Sequence, residues 1–93
     1  MAEATLAIPE RAEEQALIAR ALRNDPVAIR AIIAAHNRRL YRVARSILRH
    51  DGDAEDVLQE AYLRAFAKLG EFRGDSSLAT WLTRIVLNEA LQY

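Results

Sequence analysis

The 93-residue chain contains no cysteine, so neither disulfides nor thiolate metal sites can stabilise its fold. Glycine and proline are also scarce, with three and two residues. No apolar run approaches the roughly 20 residues of a membrane-spanning helix, and the N-terminus lacks the basic-then-apolar layout of a signal peptide. Alanine, by contrast, is prominent, and with leucine, arginine and glutamate it has high helix propensity. We therefore expect one small all-α domain in a reducing cytoplasm, without membrane insertion.

The charges balance overall but are unevenly distributed along the chain. The formal net charge is zero, so composition alone does not indicate a nucleic-acid-binding protein. The segment His36–His50 nevertheless contains five arginines and no acid, whereas Asp51–Ala61 contains five carboxylates and no base. This division indicates two surfaces with different partners, although two neighbouring helices could equally pair these charges in solvent.

The apolar spacing predicts four helices joined by short connections, a compact all-α bundle. The break Asn24-Asp25-Pro26 predicts a helix end, a capping aspartate and a first-turn proline. Asp53 is the expected N-cap of the third helix, Gly70 its stop, and Asp75, Ser76 or Ser77 the cap of the fourth. The first three predicted helices cover residues 9–23, 26–49 and 53–69, and the fourth runs from one of those three caps to Leu91. Residues 1–9 are expected to be a flexible lead-in and 10–93 the folded domain, with a fourth helix that looks truncated.

Nothing in the sequence predicts an enzyme, a metal site or a cofactor. His36 falls on the apolar stripe of the second helix, where a satisfied buried histidine is the expected role. His50 lies at a helix end, where it suits the helix dipole. The acidic run from Asp51 is not a calcium loop, because its sixth and twelfth positions hold Asp56 and Tyr62 instead of glycine and a bidentate acid.

One face of the third helix has the composition of a docking surface. Asp56, Gln59, Glu60 and Leu63 are three or four residues apart and therefore share a side. Carboxylates, an amide and an apolar contact suit a basic helical partner. An ordinary solvated helix face is the alternative explanation.

The loop after the third helix has groups that can hold an unstacked base. It places an aromatic ring, a cation and small hydroxyl donors together, which allows stacking, phosphate pairing and hydrogen bonds to a base edge. On the fourth helix, Trp81 is expected to be mainly structural. The alternative is that Phe72 plugs the bundle and the rest of the loop is turn chemistry. The candidate nucleic-acid-binding residues are Phe72, Arg73, Gly74, Asp75, Ser76, Arg84 and Asn88.

Three motifs resemble the promoter-binding domain of bacterial sigma factors, and more narrowly region 2 of the extracytoplasmic-function (group IV) class. They are DAEDVLQEAYLRAF, LGEFRGDSSLATWL and RIVLNEAL, and they occur in the family's order and separation. The resemblance covers about residues 10–93, including NDPVAIRAIIAAHNRRLYRVARSIL as the preceding helix pair.

The resemblance implies a non-catalytic subunit that joins core RNA polymerase and directs it to promoters. Asp56, Gln59 and Glu60 match family positions that dock on the clamp helices of the β′ subunit, and Leu63 follows on the same face. Asn88 matches the asparagine that reads a flipped base of the minus-ten non-template strand. The loop from Phe72 to Ser76 corresponds to the wall of that base pocket. An anti-sigma factor is a further partner that the resemblance allows.

The chain also departs from the family pattern. Val86-Leu87 replaces a commoner small residue and a variable position, and no basic cluster follows Asn88 before Tyr93. The family's second, helix-turn-helix domain is absent from this sequence, so we expect an isolated region 2. A protein-interaction bundle without DNA binding, such as a decoy or an anti-sigma target, is the rival interpretation.

Overall fold

The computed structural model describes residues 11–93 and is built from α-helices. The helices are α1 (Arg11–Leu22), α2 (Pro26–Ile47), α3 (Asp51–Ala67) and α4 (Leu78–Gln92), with a short 3-10 turn at Leu69–Glu71. No strand occurs in this range, so the predicted all-α class with four helices is confirmed. The expected lead-in at 1–9 and the first-turn Pro9 lie outside the described residues.

The chain divides into two compact units, which meet within α2 at Asn37 and Arg38. In the first unit, the predicted break between α1 and α2 is confirmed. Asn24 adopts a left-handed conformation with φ of 63°. The Asp25 carboxylate accepts the Val27 backbone N–H at 2.9 Å and the Arg20 Nε at 2.8 Å. These hydrogen bonds, with the one from Arg20 dominant, lower the pKa of Asp25 below its usual value and keep it charged as a helix cap.

His36 has the buried role that the sequence predicts. It is the only polar or charged side chain buried among the described residues, with 3% of its surface exposed. No buried side-chain nitrogen or oxygen atom of residues 11–93 lacks a hydrogen-bond partner. His36 is therefore a satisfied interior histidine, consistent with its place on the apolar stripe of α2.

In the second unit, α3 and α4 pack against each other. Their apolar residues recur at three- and four-residue intervals, which places them on one side of each helix. Alanines alternate with larger side chains on both helices and let the backbones approach closely. The buried residues are Ala54, Val57, Leu58, Ala61 and Ala65 of α3 and Leu78, Ala79, Leu82, Val86 and Ala90 of α4. Val86, a departure from the family pattern, is thus a core residue.

The third helix begins two residues earlier than its expected cap, Asp53. It starts at Asp51, after an extended His50 that provides no side-chain cap. Asp51 is instead held from α2, because its Oδ1 accepts the Tyr41 hydroxyl and the Arg45 Nε, each at 2.8 Å. These bonds, that from Tyr41 first, lower the pKa of Asp51. The predicted turn at residues 51–53 is therefore wrong, and these residues form the first helical turn.

The end of α3 also differs from the prediction. The helix stops at Ala67, and the Lys68 N–H is shared between the carbonyls of Arg64 and Ala65. Gly70 lies inside the following 3-10 turn. The glycine therefore does not end the helix, because the tighter 3-10 bonds already satisfy the last carbonyls.

No helix between residues 11 and 93 is both long and apolar enough to span a bilayer.

Leu40→Ala is expected to lower the free energy of unfolding by about 3 kcal/mol, because it empties a fully buried site. Leu40 is 1% exposed, whereas Leu63 on α3 is 65% exposed. Leu63→Ala removes the same atoms from a helix surface and should change stability by less than about 0.5 kcal/mol. Urea unfolding followed by circular dichroism measures both values. Equal losses in the two variants would contradict the assigned core.

Candidate functional site

A small surface cavity lies between the loop after α3 and the outer side of α4. Its volume is about 150 Å³, below the roughly 300–1,000 Å³ of sites that hold drug-sized molecules. It is therefore suited to a single planar group. The lining residues are Glu71, Phe72, Arg73, Asp75, Ser76, Trp81 and Arg84. Five of the seven candidate nucleic-acid-binding residues are thus brought together.

Two aromatic rings form the apolar part of this cavity, which we call the loop pocket. Phe72 and Trp81 have ring centroids 5.4 Å apart and an interplanar angle of 58°. This tilted arrangement is one of the favoured geometries for aromatic pairs. Both side chains are partly exposed, so each ring contacts its neighbour and still lines the pocket. Trp81, which was expected to be mainly structural, thus contacts Phe72 and also forms part of the pocket wall.

The backbone that carries the pocket is fixed by a glycine and a helix cap. Gly74 has a φ of 80°, a conformation that L side chains rarely adopt. Ser77 then caps α4, with its Oγ accepting the Thr80 N–H at 3.1 Å. Ser76 donates its hydroxyl to the Ser77 carbonyl at 3.2 Å. Of the three caps that the sequence allows, the structure selects Ser77, and the loop enters α4 in a defined direction.

The pocket combines both signs of charge. Arg73 and Arg84 provide guanidinium donors, while Glu71 and Asp75 provide carboxylate acceptors. The arginines suit a phosphate, whereas the carboxylates would repel one and can instead accept hydrogen bonds from the amino group of a base. Glu71 was not a candidate from the sequence, because an acid in a short turn has no distinguishing pattern.

Two candidate residues do not line the loop pocket. Asn88 is exposed on α4 one turn beyond Arg84, so it shares the side of the helix that contains Trp81 and Arg84. Gly74 shapes the loop without lining the cavity. Asn88 could therefore contact only a ligand that extends from the pocket along α4.

The candidate docking residues occupy one solvent-facing side of α3, as their spacing predicts. Asp56, Gln59, Glu60 and Leu63 are all exposed. Leu63 is among the most exposed large apolar residues of the described chain, at 65%. An exposed leucine beside carboxylates and an amide is compatible with a protein contact, although single exposed leucines are common.

The acidic face is less uniform than the sequence interpretation held. The Arg64 Nε lies 3.5 Å from Glu60 Oε2, and it makes a shorter contact of 2.6 Å with Glu89 Oε2 of α4. The spacing of four residues between Glu60 and Arg64 could have indicated the first pair. Glu89 carried no such signal, because it meets Arg64 only through the packing of α3 on α4.

A second surface cavity, of about 350 Å³, adjoins this face at the end of α4. Asp56, Glu60 and Glu89 line it together with Val57, Gln92 and Tyr93. The Tyr93 hydroxyl donates to Asp53 Oδ1 at 3.1 Å and lies 3.4 Å from Asp56 Oδ2. The neighbouring carboxylates, Asp53 first, raise the pKa of Tyr93. Its phenol therefore stays protonated and remains a donor to Asp53.

Within residues 11–93, no group of three or more His, Asp or Glu side chains could hold a metal ion.

Comparison with known proteins gives consistent relatives. The family model for Sigma-70 region 2 matches residues 32–93. The ECF RNA polymerase sigma-E factor of Escherichia coli K12 is 36% identical over 86 residues, which are 90% of this chain and 44% of that protein. The RNA polymerase sigma-H factor of Pseudomonas aeruginosa PAO1 is 35% identical over 78 residues, 84% of this chain and 40% of that protein. The chain thus spans less than half the length of these curated relatives.

A solved structure also matches the fold. It is an NMR structure of the complex formed by an engineered region 2 of sigmaE with GTAAAA. The TM-score is 0.78 at 28% identity, and the match covers 92% of this chain and 90% of the other.

Gly74→Ala is expected to destabilise the domain by about 1 kcal/mol, because alanine is strained at a φ of 80°. Gly52→Ala should act in the opposite direction, by about 0.5 kcal/mol, since Gly52 lies in the first turn of α3 with open space around it. Chemical unfolding of the two variants supplies the comparison. If both alanines stabilised the chain, the assigned loop conformation would be wrong.

Proposed function

The chain belongs to the Sigma-70 region 2 family, and we propose that it recognises the minus-ten element of bacterial promoters for RNA polymerase. In this proposal it acts as a domain of an extracytoplasmic-function sigma factor and works by binding, without a chemical step. It docks through the exposed face of α3 and captures a single-stranded base in the loop pocket.

The loop pocket is the observation that carries this proposal. Phe72 and Trp81 offer ring surface for one base, and their contact at 5.4 Å holds that surface in place. Stacking on an aromatic side chain is worth about 1–3 kcal/mol per base. The pocket volume of about 150 Å³ favours one flat ring over a larger ligand. The relative whose structure includes GTAAAA supports the choice of single-stranded DNA.

The basic and acidic residues of the loop pocket contact different parts of the captured nucleotide in this proposal. Arg73 and Arg84 pair with phosphates on either side of the captured nucleotide. Glu71 and Asp75 repel a phosphate from the pocket, so the base occupies it. Their carboxylates can accept hydrogen bonds from the amino group of that base. Asn88, one turn further along α4, offers a donor and an acceptor to the base edge that protrudes toward it.

The face of α3 binds the clamp helices of the polymerase β′ subunit in this proposal. Asp56, Gln59 and Glu60 provide acceptors and an amide, and Leu63 provides an apolar contact. Charge complementarity on such a face mainly sets orientation and association rate. Docking also confines the loop pocket near the promoter, which raises its effective concentration there.

Capture of the base stabilises the open strand without catalysis. Flipping a base costs a few kcal/mol in lost stacking and pairing. Binding in the pocket offsets that cost only once the strand is single, so the domain favours the melted form over the duplex. A formal net charge of zero adds little nonspecific attraction to duplex DNA. At duplex promoters the domain therefore acts after assembly with core polymerase, whereas it can bind a strand that is already single by itself.

Asn88→Ala is expected to weaken discrimination between GTAAAA and its single-base variants by about 10-fold, because a hydrogen-bonded pair to a base edge contributes about 1–3 kcal/mol. Fluorescence anisotropy of labelled single-stranded hexamers measures the affinities. Asn37→Ala makes the same change at an exposed asparagine of α2 and should preserve the preference.

An unchanged ranking of the hexamers in Asn88→Ala would contradict the assigned reading role. Absence of any binding by the parent chain would instead favour the rival interpretation, a protein-interaction bundle that includes an anti-sigma-bound or decoy form.

Gln59→Ala combined with Glu60→Lys should reduce affinity for a β′ clamp-helix fragment at least about 10-fold, since it removes one polar contact and reverses a charge at the interface. Gln15→Ala combined with Glu14→Lys makes the same two changes on α1 and is the matched control, which should leave affinity within about 2-fold. Pull-down and calorimetric titration provide the measurement, with circular dichroism to verify folding. Equal binding by all three proteins would refute the docking face.

A further inference from the structure

The most concentrated positive charge in the described chain lies on α2, outside both proposed sites. The helix Pro26–Ile47 contains five arginines and neither aspartate nor glutamate. Arg38, Arg42 and Arg45 are spaced by four and three residues and lie within about 60° of one another around the helix axis. We call these three residues the arginine stripe. All three are exposed.

Local structure does not account for two members of the stripe. Arg45 donates to Asp51 Oδ1 at 2.8 Å and to the Leu48 carbonyl at 2.9 Å, so it stabilises the end of α2. Arg38 and Arg42 form no ion pair with any residue from 11 to 93. They lie too far from the helix end to gain from its dipole, which acts within the last turn. Like charges four residues apart destabilise a helix, so the helix carries a repulsion with no internal compensation.

We infer that the arginine stripe binds the phosphate backbone of promoter DNA, independently of its sequence. The inference rests on the proposed function and adds a second contact to it. Arginine pairs bidentately with phosphate, and the stripe contains no lysine. It spans about 10 Å along the helix axis, which is close to the rise of three nucleotides in one strand. The three long guanidinium side chains can therefore contact phosphates within a run of about four nucleotides.

A membrane surface fits the stripe less well. A helix that lies on a bilayer needs exposed apolar residues beside its basic ones. The large exposed apolar residues of the described chain are Leu22, Val27, Leu63, Leu91 and Tyr93. None belongs to the second half of α2, whose exposed neighbours of the stripe include Asn37, Arg39 and Ser46. An acidic protein surface is the remaining alternative, and the experiment separates it.

The test compares two double variants of the 93-residue chain. Arg38→Gln with Arg42→Gln removes two charges from the stripe. Arg23→Gln with Arg39→Gln removes the same charge elsewhere, since Arg39 lies about 60–120° around α2 from the stripe members. The probe is labelled single-stranded DNA of about 20 nucleotides, with GTAAAA in one version and a scrambled hexamer in the other. Affinities are measured between about 50 and about 200 mM NaCl.

Loss of two phosphate contacts lowers the slope of log K against log salt by about 1.4 for single-stranded DNA. The ratio of parent affinity to stripe-variant affinity is therefore about 7-fold smaller at the high salt concentration than at the low one. The same change should occur with both probes, so the preference for GTAAAA stays intact. The control variant should retain the parent slope.

Equal slopes in the two double variants would overturn the inference, because only general charge would then matter. An unchanged slope in the stripe variant, together with lost binding to a polyglutamate peptide, would assign the stripe to an acidic protein instead. Failure of the proposed function gives a different result: the parent chain would show no preference for GTAAAA over the scrambled probe. The slopes on the scrambled probe would still decide whether the stripe contacts phosphate.

Discussion

The packing of α3 on α4 is the interaction on which both proposed sites depend. Val57 and Leu58 of α3 and Leu82 and Val86 of α4 are buried, and each such side chain contributes about 1.5–3 kcal/mol on burial. The same helix pair presents the exposed face of α3 and, through the loop that joins the helices, the aromatic pocket. Because both sites are attached to one packed pair, a partner that fixes α3 also fixes the pocket. In the proposed function, docking through α3 therefore also positions the loop pocket.

The distribution of charge shows a second constraint. Helix α2 carries no acidic residue, and α3 has acidic residues in its first turn, so several ion pairs between the two helices could be expected. Only Arg45 and Asp51 form one, and Tyr41 donates to the same carboxylate. Arg38 and Arg42 of α2 therefore form no ion pair within residues 11–93, whereas most carboxylates of α3 have partners on α2, α3 or Tyr93. Like-charge spacing on a helix costs about 0.2–0.5 kcal/mol per pair. Such a cost is small against core packing, which lets a neutral chain carry two surfaces of opposite sign.

Local chemistry could be predicted from the sequence, whereas tertiary contacts could not. The break at Asn24-Asp25-Pro26 was predictable because cap, left-handed residue and first-turn proline act within a few residues. The start of α3 was not, since Asp53 is a good cap in the sequence but the helix begins at Asp51, which Tyr41 and Arg45 of another helix hold. For the same reason the contact between Glu89 and Arg64 could not be predicted, because it arises only when α4 packs on α3. The residue roles of the two sites remain predictions from the family resemblance.

Arg64 illustrates how a local pair and a tertiary pair combine at the proposed docking face. A basic helix that approached α3 would compete with Arg64 for the Glu60 carboxylate. Arg64 lies 3.5 Å from that carboxylate but 2.6 Å from Glu89, whose side chain is only 16% exposed. Surface ion pairs are worth about 0–1 kcal/mol, and the longer contact belongs at the low end. Glu89 therefore retains Arg64 while Glu60 changes partner, so the face can exchange an internal cation for an external one at little cost.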